Sequence, residues 1–174
     1  NQRIPDIPVN VKYSFKNGSH LQAGAVLRNM YYKDEVEDKD RIVTGWGASL
    51  SGIWQFAENT SLCFQGVYGK GISNYIQDIS GTGLDLVPSA TAEGKLKAFG
   101  AWGGYMGFSH NWNKVLTSNI MYSYARVLDR HGMPATSYKY AQYAAANLFW
   151  DFSEYGSCAI EYVFGRRNDF NKDY

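Results

Sequence analysis

From residue 7 onward, apolar side chains recur at every second position in one segment after another. "IPVNVKYSF" (7–15) sets Val9, Val11, Tyr13 and Phe15 against Asn10, Lys12 and Ser14, and "LQAGAVLRNMYY" (21–32) sets Leu21, Ala23, Ala25, Leu27 and Tyr31 against Gln22, Gly24, Val26 and Arg28. A period of two belongs to a strand with two unlike faces. The pattern returns over 42–56, 61–76, 98–110, 115–127, 139–150 and 158–167, which predicts eight antiparallel strands. The facing of 139–150 is left open, because Leu148 and Trp150 compete with Tyr143 and Phe149.

The connections alternate in length. "KNGSH" holds Asn-Gly, a strong hairpin signal, and "AENT", "NWNK" and "DFSEYGS" are equally tight. Between them lie long charged or polar runs: "KDEVEDKDR" (33–41), read as solvated loop, then 77–95 and 128–138. A sandwich gives no reason for such alternation. A barrel that crosses an outer membrane does, with short turns on one side and long loops on the other, and strands of about 9–11 residues suffice to span.

The segment "AFGAWGGYMGFSHNW" (98–112) shows the two faces in detail. Trp102, Met106 and Phe108 form a greasy side, whereas Gly103, Gly107 and Ser109 form a small, mildly polar one. The first suits lipid, and the second suits a barrel interior where small residues leave space. Aromatics gather toward strand ends: Phe15, Trp54, Phe56, Phe108, Trp112 and Trp150 toward the short turns, and Tyr31, Tyr68, Tyr124, Tyr162 and Phe164 toward the long loops. Ala25, Leu27, Ala48, Leu50, Gly104 and Ile120 lie between. Two aromatic girdles around an apolar band match the lipid interface. The competing arrangement is a soluble barrel that hides its aromatics inside.

Composition narrows the functions. The 174 residues predict one domain, and a net charge of +1 with no basic, aromatic-interleaved run gives no nucleic-acid interface. There is no run of about eighteen apolar residues, so no transmembrane helix, which leaves a β-barrel open. The opening "NQRIPDIPVN" carries no signal peptide, so such a segment is expected to have been removed or the chain to be a piece of a longer one. Cys63 and Cys158 make no metal pattern and read as two free thiols. His20, His110 and His131 are not spaced to share a metal. Ser109 and His110 point to opposite faces, and there is no nucleophile elbow. Asp34, Glu35, Glu37, Asp38 and Asp40 read as a solvated loop without EF-hand spacing. Neither a catalytic residue nor a cofactor or metal is assigned.

Strand parity turns Lys12, Arg28, Lys139, Asn147, Glu161 and Arg167 inward as candidate pore-lining residues. Interior cations favour anions. The alternative is that Arg28 and Arg167 pair with Glu161 and fill the interior. Arg41, Arg126 and Arg166, at strand ends, are either rim contacts for lipopolysaccharide phosphates or solvated.

At "VYGKGISNYIQD", "AFGAWGGYMGFSHNW", "YAQYAAANLFWDF" and "IEYVFGRRND" the chain resembles the DcaP-like family of outer-membrane porins, most specifically at 147–150 and at Gly165–Arg167. The resemblance implies a bacterial outer-membrane location and a trimeric channel for small, often anionic solutes, with basic residues at its constriction, of which Arg167 lies in a matched motif. It also implies a barrel of about sixteen strands, preceded by a helical segment. The expected fold is therefore all-β, an up-and-down transmembrane barrel, with 1–174 its single domain and the C-terminal half of a longer porin that lacks its last strand. Tyr174 is then not the natural terminal aromatic. The alternative is a small closed eight-stranded barrel with an envelope-structural, adhesion or lipid-modifying role, too narrow for a pore. A soluble lipid-binding barrel is the third reading.

Overall fold

The computed structural model describes residues 4–34, 36–89, 91, 94–128 and 133–171, so Glu35, His131 and Tyr174 lie outside the described residues. The strands are β1 (Ile7–Ser14), β2 (His20–Asp34), β3 (Lys39–Ala57), β4 (Thr60–Lys70), β5 (Leu86–Pro88), β6 (Leu96–Ala98), β7 (Gly100–Asn111), β8 (Leu116–Val127), β9 (Tyr138–Ser153) and β10 (Gly156–Asp169). Eight of them form one antiparallel sheet in the order β1-β2-β3-β4-β7-β8-β9-β10, and β5 and β6 form a separate small hairpin. Each large strand pairs with its neighbours in sequence, as in an up-and-down meander. β1 and β10 lie at opposite edges and do not pair with each other, so the sheet is not closed. The closed eight-stranded barrel is therefore not formed.

Several boundaries differ from expectation. The charged stretch 33–41 is largely strand, because Lys33 pairs with Asp40 and Asp34 with Lys39 across the ladder, and of the described residues only 36–38 are turn. The connection expected to be long is thus a tight hairpin whose opposite charges face one another. β4 stops at Lys70 rather than 76, since Gly71 takes a left-handed φ of 69° and turns the chain out of the sheet. β10 also starts earlier than expected, at Gly156.

The ladder fixes which side chains share a face. Val26 is opposite Gly47, Gly47 opposite Gly69, Gly69 opposite Ala101, and Ala101 opposite Val127. The face holding these residues, called inner below, is covered by the 71–99 loop. The other face is bare and apolar: Val11, Leu27, Leu50, Met106, Ile120, Ile160 and Tyr162 are all exposed there. Leu148 and Trp150 belong to the bare face, opposite Ser118 and Leu116, whereas Tyr143 and Phe149 face inward, which resolves the ambiguity of β9.

Rings meet at both ends of the bare face. Tyr13, Phe15 and Trp54 touch edge to face at the turn end, as do Trp150 and Phe152. Trp46 contacts Tyr68 at the loop end, and Trp102, Tyr124 and Tyr140 run on in succession. Ten residues separate Tyr140 from Trp150 in β9, about 33 Å along a strand. At the usual barrel tilt this projects to roughly 25 Å, the height of an outer-membrane apolar band. Tyr31 and Phe164 also lie on the bare face. Phe108 and Tyr162, expected at opposite ends, fall in one cross-strand row with Ile120 and Ala146. Counting from each strand's own ends hides that stagger.

The compact part of the molecule is where the loop meets the inner face. Ile72, Ile76, Ile79, Val87 and Phe99 pack with Ala101, Ala125, Val127 and Tyr138 into one buried cluster. Each large apolar side chain so enclosed contributes about 1.5–3 kcal/mol relative to exposure. Space is provided by glycine. A Cβ on Gly47 would stand 2.9 Å from Ile72 Cγ2, and one on Gly103 would stand 3.2 Å from Ile76 Cγ2. The small inner face does leave room, and the loop fills part of it.

Candidate functional site

The loop begins as two short 3-10 turns, Ser73–Tyr75 and Gln77–Ile79. Isoleucines every three to four residues put Ile72, Ile76 and Ile79 into the buried cluster against the sheet, while Asn74, Tyr75, Gln77 and Asp78 remain exposed. Main-chain bonds close the base of the loop, with Gly71 N donating to Phe99 O at 2.8 Å and Phe99 N to Asp85 O at 3.0 Å. Farther along, Leu96 N donates to the Tyr32 hydroxyl at 3.1 Å, which ties β6 to β2.

Arg28 is the polar centre of this arrangement. It projects from β2 on the inner face, and only 8% of its side chain is exposed. Its Nε donates to Asp6 Oδ2 at 2.9 Å, and its Nη1 pairs with Asp85 Oδ2 at 3.1 Å and donates to the Gly71 carbonyl. The guanidinium lies over the Tyr75 ring, 5.3 Å from its centroid, and the Tyr75 hydroxyl donates to Asp6 at 2.6 Å. That bond raises the Tyr75 pKa above the ordinary phenol range, since ionisation would lose it and set two anions together. Asp85 accepts from Ser73 Oγ at 2.7 Å and Asn74 Nδ2 at 2.9 Å. One cation thus joins the residues before β1, the start of the loop and its middle. Losing one partner of such a buried pair costs about 3–5 kcal/mol.

Beside Tyr75 the inner face is hollow. One hollow of about 400 Å³ is bordered by Gln65, Tyr75, Gln77, Asp78, Tyr105 and Ser123. A second, of about 220 Å³, lies toward β1 and β2 and is bordered by Asn10, Gln22, Ser49, Gln65 and again Tyr75. Tyr75, 48% exposed, stands where the two meet. Nearer the turn end, amides form a cross-strand ladder: Asn119 Nδ2 donates to Asn147 Oδ1 at 2.8 Å, and Asn147 Nδ2 to Glu161 Oε2 at 3.1 Å.

All six inward candidates lie in strands of the main sheet, but they are not gathered at one point. Lys12 stands opposite Gln22 near the turn end of β1. Asn147 and Glu161 belong to the amide ladder. Lys139 lies over the Phe170 ring at 6.0 Å, near the loop end. Arg167 pairs with Asp169 at 2.9 Å and lies 5.5 Å from the Tyr138 ring centroid. The pairing of Arg28 and Arg167 with Glu161 does not occur: their carboxylates are Asp6, Asp85 and Asp169. Sequence reasoning missed these partners and the loop residues Tyr75 and Asp78. The spacing of Ile72, Ile76 and Ile79 inside an otherwise polar run was the available signal.

Elsewhere, Arg41 pairs with Asp34 at 3.1 Å and Glu37 at 2.7 Å at the β2–β3 tip. Arg126 and Arg166 stand on the bare face beside the Tyr124 and Tyr140 rings, with Arg166 Nε donating to Asn168 Oδ1 at 2.9 Å. Cys63 and Cys158 are free thiols. Among the described residues no three His, Cys, Asp or Glu side chains converge on a metal position. No helix there is long and apolar enough to cross a membrane.

Among solved structures, the outer membrane channel DcaP of Acinetobacter baumannii superposes on this chain with a TM-score of 0.77. The chain has the fold of half a DcaP channel. The superposition covers 99% of this chain and 48% of that one, at 18% identity, so the chain spans about half the length of the channel it matches. No family model matches the sequence. No curated protein matches it significantly. The fold likeness agrees with the resemblance read from the motifs, and the inward loop and hollows lie on the face expected to line the barrel.

Proposed function

We propose that this chain is half of an outer-membrane porin, through which small hydrophilic solutes diffuse passively. The observation that carries the reading is the pairing of a bare apolar face, edged by aromatic contacts, with an inner face that is small, polar and narrowed by a loop. A soluble sheet of this size does not leave Leu50, Met106, Ile120 and Ile160 exposed together. Lipid covers that face, and Arg126 and Arg166 beside the loop-end rings suit the phosphates of lipopolysaccharide. Strands beyond β1 and β10 complete the barrel, and a homotrimer follows the resemblance to the DcaP-like family.

The anion preference implied by the same resemblance is assigned to Lys12, Lys139 and Arg167; Arg28 is enclosed between Asp6 and Asp85, whereas Arg167, paired with Asp169 alone, keeps 60% of its side chain exposed. The complete protein, purified from membranes into a planar bilayer, should give ohmic single-channel steps and a reversal potential on the anion side in a salt gradient. Arg167→Ala should move that potential toward cations. A protein that inserts but never conducts refutes the porin reading, and a cation-side potential refutes the anion preference alone.

A further inference from the structure

We propose that Arg28 is a positioning residue: by clamping the 71–99 loop at one depth over the inner face, it sets the width of the passage. The inference rests on the channel reading and assigns Arg28 a role other than lining. Every feature of its surroundings suits holding. The side chain is 8% exposed, and its Nε and Nη1 are committed to Asp6, Asp85 and the Gly71 carbonyl, which belong to two separate stretches of chain.

The Leu96 N bond to the Tyr32 hydroxyl lies at the loop's far end. Ile72, Ile76 and Ile79 attach the start of the loop to the sheet by apolar contact, which is non-directional and lets a loop slide. The planar guanidinium fork does not, since its donors fix angle as well as distance. What it positions is Tyr75. Arg28 covers the ring, Asp6 holds the hydroxyl, and the ring stands at the junction of the 400 Å³ and 220 Å³ hollows. If Tyr75 moves, the two hollows join.

The test uses the complete protein in a background from which every cysteine, Cys63 and Cys158 included, has been replaced by Ser. Arg28→Lys keeps the charge and loses the fork, and Asp85→Asn cuts the clamp from the other side should the first variant fail to assemble. Either variant should raise single-channel conductance about 1.5–3-fold and add open-state noise, with little change in reversal potential in the charge-conserving Arg28→Lys. Adding Ile76→Cys with Gly103→Cys, whose positions nearly touch, should return conductance toward the parent value on oxidation and release it on reduction. Unchanged conductance in both variants overturns the proposal, and Arg28→Gln, which removes the charge, then identifies a lining cation by a reversal potential moved toward cations. The rate of that cross-link in detergent provides a readout independent of current. It should fall several-fold in Arg28→Lys, and an unchanged rate overturns the clamp. Absence of current from the parent protein would count against the channel reading alone.

Discussion

A carboxylate at a hairpin tip usually titrates in free contact with water, but Asp34 is enclosed. It accepts from the Glu37 N–H at 3.2 Å, the Val36 N–H at 3.1 Å and Arg41 Nε at 3.1 Å, and 1% of its side chain is exposed. The Glu37 amide bond, aided by Arg41 and opposed by desolvation, holds its pKa below the ordinary 3.8. A lowered carboxylate pKa adds stability that is present above the ordinary value and is lost as pH falls through the lowered one. The Val36 and Glu37 amides should therefore stay protected from exchange at neutral pH and lose protection only below pH 3.8, whereas Asp34→Ala, which removes the acceptor, should leave them fast at every pH. The residue scale was also the least legible in the sequence. Strand parity put Arg28 on the inner face, but its partners Asp6 and Asp85 are 22 and 57 positions away, and no local pattern brings them to it. Lys33 and Asp40 were visible as charges. Their cross-strand pairing, which turns a presumed loop into strand, depends on register.

Strands and faces could be read well, because lipid on one side and packed small residues on the other impose the same period along every strand. Ile120, in β8, is 62% exposed on the bare face, while Ser123 three residues on faces inward. Placing a charge on each separates the faces energetically. Ile120→Arg should destabilise the assembled barrel by about 2–4 kcal/mol if it sits near the bilayer midplane. Ser123→Arg should leave stability nearly unchanged and reduce conductance. Denaturant titrations of the two variants in lipid check both. The 71–99 loop defeated sequence reading for a physical reason: its isoleucines at spacings of four and three form an apolar stripe on turns too short to register as a helix. Their receptor, Gly47 and Gly103, lies in other strands.

At the scale of the whole molecule, the sheet's two edges determine what it can be. β1 is exposed along its full length and β10 along nearly all of it, and each carries a row of main-chain groups on its outer side. Such edges invite further strands. In the intact membrane protein, the outward amides of β1 and β10 should exchange as slowly as those of β3 and β8. In the 174-residue chain alone they should exchange orders of magnitude faster. Equal protection in both samples would mean that this chain closes on itself.

The two thiols have a use of their own. Cys63 is opposite Gly107 on the inner face, whereas Cys158 is opposite Trp150 on the bare one, so this chain carries one natural reporter for each solvent. A charged, membrane-impermeant maleimide that enters through the pore should label Cys63 and leave Cys158 untouched in proteoliposomes. A bilayer-soluble maleimide should reach Cys158. Labelling with the two reagents reversed would turn the sheet inside out, with the loop toward lipid and the apolar face toward water.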